Sequence, residues 1–246
     1  WRADAQISSL PHISTSQAVT FLMVEEHLRH LLPPSLLDEL RPWFDMAQRA
    51  VNHSDNQGRH WLDCVRIIPP TQPLIPPTVK REAQQAIYEA LLTNKQLNVS
   101  YQRRYDKMSA EYTLNPLAIV QRGPVIYLVC TRTDSPKIRL FALQRFMSAE
   151  VLKTVSIIPD DFNIDDYLAT GALGFGSGDT IRLKALFTKA VGDHLYESKL
   201  SEDQVISETA DDRLLVEATV KNTQQLLWWL RGFGDAVEVL EPSLTP

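Results

Sequence analysis

Apolar positions along the first fifty residues recur at helical spacing. Val19, Leu22, Val24, Leu28, Leu31 and Leu32 form one stripe, opened by Ser14 and Gln17 as an S-x-x-Q capping signal and closed by Pro33-Pro34. Leu36, Leu37, Leu40, Phe44 and Ala47 form a second stripe that runs to Val51, with Ser35 as its expected cap. The two predict a helical hairpin with apolar surface left over for packing or dimerisation. A polar turn follows from His53 to Arg59, then an expected strand from Cys64 to Ile68 and a stiff proline-rich link from Pro69 to Pro77. Thr78 is the expected cap of a helix through Ala83, Ala86, Ile87 and Ala90 to Leu92.

At Leu97 the period changes to two. Leu97, Val99 and Tyr101 alternate with Asn98, Ser100 and Gln102, the pattern of a half-buried strand. Turn residues at Asp106-Lys107, Gly123-Pro124 and Asp134-Ser135-Pro136 divide the rest of the segment into strands near 110–121, 125–131, 138–145 and 147–155. Five short strands so close together predict a small, strongly bent sheet or barrel. After a linker at 158–179 that holds Gly171, Gly174, Gly176 and Gly178, alternation resumes at Ile181, Leu183, Ala185 and Phe187. The remainder reads as helix 190–199, strands 205–208 and 214–220, helix 223–231 and strand 236–240, a βαββαβ order of ferredoxin-like type. The expected class is α+β, in four parts: a helical linker and dimerisation region with one strand (1–77), the β domain with its leading helix (78–157), the glycine-rich linker (158–179) and the βαββαβ unit (180–246).

Charge sharpens this picture. Between Lys95 and Lys153 stand ten Lys and Arg residues against four acids, Asp106, Glu111, Asp134 and Glu150, a local balance of +6 in a chain of net charge −5. A basic β unit on an acidic scaffold points to an anion site, with nucleic acid or nucleotide as the first candidates. With 246 residues, 44% of them apolar, the chain can bury two or three modest cores. No apolar run approaches the ~20 residues that span a bilayer, and no charged-then-apolar leader opens the chain, so no membrane partner and a cytoplasmic location are expected. Cys64 and Cys130 both lie in apolar runs and are expected as buried free thiols. The first residue is Trp1, not Met, which leads to the expectation that an upstream segment has been removed.

Enzymatic motifs fail on spacing. The glycines of 171–178 lack the order of a phosphate loop, and a strand follows where a helix should open. His27 and His30, beside Glu25 and Glu26, do not make H-E-x-x-H; His53 and His60 with Asp55 and Asp63 have no metal spacing either. Phe175 occupies the first glycine position of a nucleophile elbow around Ser177, and the acidic pairs Asp160-Asp161 and Asp165-Asp166 read as solvated linker. No catalytic residue, metal ligand set or cofactor is expected, and the chain reads as a binding protein, not an enzyme. The binding candidates are arginines and aromatics. In a strand regular to Arg145, Arg139 and Arg145 share parity with Phe141 and Leu143, so two guanidinium forks suited to phosphate would flank an apolar strip. Tyr101 and Arg103 share a face of the first strand and Tyr127 lies on the third, offering rings for stacking. The ordinary alternative is a core tyrosine and a solvated arginine at each position.

The blocks Asn115-Pro116-Leu117-Ala118-Ile119-Val120, Val125-Ile126-Tyr127-Leu128-Val129 and Arg139-Leu140-Phe141-Ala142-Leu143-Gln144-Arg145-Phe146 together resemble the WYL domain, a ligand-sensing module of bacterial transcription regulators. Ile126-Tyr127-Leu128 stands at the Trp-Tyr-Leu triplet that names the family, with Ile for Trp. Leu200-Ser201-Glu202-Asp203-Gln204 and the run from Leu226 through Gly232-Phe233-Gly234 to Val239-Leu240-Glu241-Pro242 resemble the extension that often follows it. The resemblance covers about residues 60–246, and residues 10–50 are similar to the helical linker of the same regulators. It implies an Sm-like fold for 97–155 and duplex DNA as a partner through a winged-helix domain absent from this chain; a homodimer is expected from the apolar helical hairpin at 15–50 and from Trp228-Trp229. It further implies a role as a regulator, expected to be a repressor and set beside phage-defence genes. By the same match Tyr101, Asn115, Arg139 and Arg145 line the ligand surface, with Asn115 where histidine is common. The alternative is a stand-alone Sm-like protein that binds single-stranded nucleic acid without a transcriptional role.

Overall fold

The computed structural model describes residues 13–28, 31–53, 57–67, 72, 74–106, 108–174 and 179–243, with side chains at 53 and 57–59 left aside. His30, His53, Asp55 and the Phe175–Gly178 stretch, weighed above, lie outside the described residues or side chains. The chain divides into two compact units, Trp1–Pro159 and Asp160–Pro246. Both contain an antiparallel sheet with helices.

The first unit opens with α1 (Thr15–Leu28), α2 (Pro34–His53) and α3 (Gln57–Cys64). The capping box closes as the sequence suggests: Ser14 N–H donates to Gln17 Oε1 at 2.9 Å, and Gln17 N–H to Ser14 Oγ at 3.2 Å. Ala18, Leu22, Ala47 and Val51 form the helical core, with Leu62 of α3 packed against it. Helix α3 replaces the end of the expected polar turn and the start of the strand expected over 64–68, of which residues 54–56 and Ile68 lie outside the described residues. A lone apolar stretch has no neighbour to complete a backbone ladder; α3 ends at Cys64, Val65 N–H still donates to Trp61 O at 3.1 Å, and residues 65–67 continue as neither helix nor strand. Ser35 is likewise inside α2, not its cap, and its N–H is taken by Gln85 Oε1 at 3.0 Å. Cys64 is exposed, its Sγ 3.6 Å from His60 Nε2, whereas Cys130 is buried.

Helix α4 (Arg81–Thr93) starts later than expected; its N-cap is Lys80, and Thr78 stays in the extended proline segment. Ala83, Ile87 and Ala90 make its buried stripe, which packs on one face of a five-stranded sheet. The strands are β1 (Lys95–Tyr101), β2 (Ala110–Arg122), β3 (Val125–Arg132), β4 (Ser135–Ala142) and β5 (Phe146–Val155), in the order β4-β3-β2-β1-β5, every pair antiparallel. Leu97, Val99, Tyr112, Leu114, Leu128, Cys130, Phe141 and Phe146 supply the core face, as the period of two requires. Gly123, at φ +56°, makes the tight β2–β3 turn that other residues enter only with strain. The fourth strand ends at Ala142, and Leu143–Arg145 is a turn of 3₁₀ helix with Leu143 buried.

In the second unit a short helix, α5 (Ile164–Ala169), interrupts the expected linker; Asn163 Oδ1 caps it by accepting from Asp165 and Asp166 N–H. Then come β6 (Thr180–Thr188), α6 (Lys189–Gly192), β7 (Val205–Glu208), β8 (Arg213–Lys221), α7 (Gln224–Arg231) and β9 (Val237–Glu241), in sheet order β7-β8-β6-β9. The helix expected over 190–199 is cut to one turn and continues as a 3₁₀ turn at Asp193–Tyr196. Gly192 lies so close to the sheet that a Cβ there would stand 2.9 Å from Phe187 Cβ.

Candidate anion-binding site

An open groove of about 580 Å³ lies on the core-side face of the five-stranded sheet. Strand parity carries the same face outward from the core. Cys130 pairs with Arg139 and Leu128 with Phe141 across β3 and β4, so Arg139 shares its side of the sheet with core residues, and Arg132 follows Cys130 by two positions. Tyr101 and Arg103 border the groove from the end of β1, Tyr112 from β2, Arg132 from β3, Arg139 and Phe141 from β4, and Arg145 from the 3₁₀ turn.

Tyr101 forms its floor. The ring is 6% exposed, meets Phe141 edge-on at 4.6 Å and Phe146 at 5.0 Å between centroids, and its hydroxyl accepts from Ala142 N–H at 3.0 Å. Burial raises its pKa; the Ala142 N–H and the neighbouring Arg145 oppose that rise. Arg145 is held in place by its backbone, whose carbonyl accepts from Gln102 N–H at 3.0 Å. The route differs from a strand regular to Arg145: the 3₁₀ turn, not parity, delivers that side chain. Burial likewise pushes the Cys130 thiol up, with the Arg139 charge acting against it.

The arginines fall into two sorts. Arg132 pairs with Asp134 and its Cζ lies 4.9 Å from the Tyr112 ring centroid; Arg103 stands 3.9 Å from Asp106 and 5.6 Å from the same centroid. Arg139 and Arg145 pair with no carboxylate among the described residues. Four guanidinium groups against two acids leave a net positive groove that suits an anion.

Of the six candidates read from the sequence, the structure brings Tyr101, Arg103, Arg139 and Arg145 together. Asn115 and Tyr127 lie elsewhere, because each is out of parity with the core-side residues of its strand. Tyr127 is half-buried between Val120 and Ala142, on the sheet face opposite Leu128. Asn115 is 2% exposed and fully engaged: its Oδ1 accepts from Gln96 Nε2 and from Ile157 N–H, both at 2.9 Å, and its Nδ2 donates to Thr131 Oγ1 at 3.2 Å. These bonds tie β1, β2 and β3 to the segment after β5. Arg132 and Tyr112 were not among the candidates. Ending the third strand at 131 hid Arg132, and following its alternation one residue further places it with Cys130.

A WYL domain matches residues 82–151 and a WCX domain residues 179–243, together more than half of the chain. The chain thus carries a WYL domain followed by a WCX domain. Among solved structures it is similar to proteasome accessory factor B/C of Arthrobacter aurescens, at 17% identity and TM-score 0.31 over 81% of this chain and 29% of that one. It is also similar to a CRISPR Cas-related protein, at 16% identity and TM-score 0.38 over 66% of this chain and 47% of that one. The chain thus spans less than half the length of either. No curated protein matches it. Among the described residues no helix is long and apolar enough to cross a membrane, and no group of His, Cys, Asp and Glu could hold a metal ion.

Proposed function

We propose that this chain is the effector-sensing part of a bacterial transcription regulator, a binding module and not an enzyme, whose WYL domain takes a nucleic-acid or nucleotide ligand in the arginine groove. The observation that carries this reading is the convergence of Arg103, Arg132, Arg139 and Arg145, from separate elements, around a floor of buried aromatic rings. Such a surface pairs guanidinium forks with phosphate oxygens and offers planar groups for bases. On this reading the five-stranded sheet is Sm-like and the β7-β8-β6-β9 sheet, with its βαββαβ order, is ferredoxin-like. Duplex DNA is read by a winged-helix domain outside this chain, and repression of a phage-defence locus is the setting that the resemblance suggests.

The test is fluorescence anisotropy with labelled oligonucleotides, and competition by unlabelled mono-, di- and cyclic nucleotides, across a salt series. Arg139→Ala and Arg145→Ala should each cost ~1–3 kcal/mol of binding and flatten the salt dependence, with melting curves nearly unchanged. Full affinity in both folded variants would make the groove a solvated sheet face.

A further inference from the structure

Within the proposed effector site, and resting on that reading, we infer that Arg132 and Tyr112 form a base-reading shelf distinct from the phosphate grip of Arg139 and Arg145, so that the ligand is recognised as a nucleotide unit and not as an anion alone. Tyr112 is 9% exposed, meets Phe141 edge-on at 5.7 Å, and has a hydroxyl with no hydrogen-bond partner among the described residues. The Cζ of Arg132 lies 4.9 Å and that of Arg103 5.6 Å from its ring centroid. The Arg132 side chain is 24% exposed and borders the groove, so the guanidinium lies beside the ring and is still partly open to a ligand.

Charge separates the two sub-sites. Asp134 and Asp106 offset Arg132 and Arg103, which leaves Arg139 and Arg145 as the uncompensated cations. A phosphate is drawn to the uncompensated pair. The Arg132 guanidinium, paired with Asp134 and close to the Tyr112 ring, presents instead a planar group of the kind on which bases stack. Inorganic phosphate engages only the grip. A nucleoside monophosphate unit, free or within a single strand, engages both.

The experiment is calorimetric titration of the full 246-residue chain with pyrophosphate, ribose 5-phosphate, adenosine monophosphate and a trinucleotide, the last two separating a free nucleotide from a strand. Wild type should bind the base-bearing ligands at least about tenfold more tightly than ribose 5-phosphate. Arg132→Lys keeps the charge and loses the plane; it should bring that ratio to within about twofold, because the base-bearing ligands lose more affinity than ribose 5-phosphate does. Asp134→Asn, at an exposed position, should raise pyrophosphate affinity and lower the base preference, because Arg132 then becomes a free cation. If the wild-type chain binds none of these ligands, the nucleotide-effector reading falls and the shelf with it. If they bind with no preference for a base, or the preference survives Arg132→Lys, the shelf alone is overturned and the groove is a simple anion site.

Discussion

Asn115 shows how a single side chain can carry opposite meanings on the two faces of one strand. Its neighbours Leu114 and Pro116 are also buried, but Leu114 points into the core beside the groove and Asn115 does not. With three hydrogen bonds satisfied in a buried site, its amide holds Gln96, Thr131 and the Ile157 backbone at once. Asn115→Ala leaves the buried Gln96 amide without its acceptor and the buried Thr131 hydroxyl without its donor, and each orphaned buried group costs ~1–3 kcal/mol. Urea unfolding should therefore show a loss of at least ~2 kcal/mol, while the fraction that remains folded binds ligand as wild type does. Tyr101 combines both roles, since its ring is core and its rim borders the groove. For that reason the arginines, whose removal leaves the core alone, make the cleaner probes of binding.

At the level of elements, the WCX sheet is fastened by Asp203. Its carboxylate accepts from Ser201 Oγ at 2.5 Å, from the Thr219 hydroxyl at 2.5 Å and backbone N–H at 3.1 Å on β8, and from Arg182 on β6 at 2.6 Å. These hydrogen bonds, with Ser201 and Thr219 foremost and Arg182 adding its charge, hold the carboxyl well below the usual aspartate range. A folded-state pKa below the unfolded one contributes stability that is present above the ordinary value of about 3.9 and is lost as pH falls toward the lower folded value. Melting temperature measured from pH 7 down to pH 2 should thus decline on the acid side, and Asp203→Asn should lower stability at neutral pH and flatten that decline. An unchanged acid limb in the variant would show that other carboxylates dominate it.

On the scale of the whole chain, the exposed apolar surface argues for self-association. Trp229 packs into the WCX core against Phe187 at 6.0 Å and Phe233 at 5.0 Å, but its neighbour Trp228 stays 54% exposed on α7. Ile67, Leu74 and Ile75, in the segment between α3 and α4, are also exposed, at 66%, 67% and 95%. Surface of this kind is expected to be covered in a symmetric pair. Sedimentation equilibrium should give about twice 27.9 kDa, and a monomer at tens of micromolar would remove Trp228 and the helical region from any role in dimerisation.

Much of this architecture is local and was therefore readable from the chain. The five strands of the basic segment, the S-x-x-Q cap at Ser14 and the βαββαβ order after 180 all follow from side-chain period, turn residues and capping, which depend on neighbours a few positions away. The same parity placed Tyr101 on the core face. Where context overrules local pattern, the sequence reading diverged. The end of the expected polar turn and Cys64 of the expected strand became helix α3, with Leu62 packed on the helical core, and the fourth strand stopped at Ala142, with Leu143 buried in a 3₁₀ turn. The groove belongs wholly to this second kind. Arg132, Arg139 and Arg145 come together through strand register and that turn, and Tyr112 acquires its two guanidinium neighbours only when β2 lies between β1 and β3. Charge density along the chain marks only the basic segment between Lys95 and Lys153. Which arginines remain uncompensated is decided by distances between residues that only the folded sheet brings together.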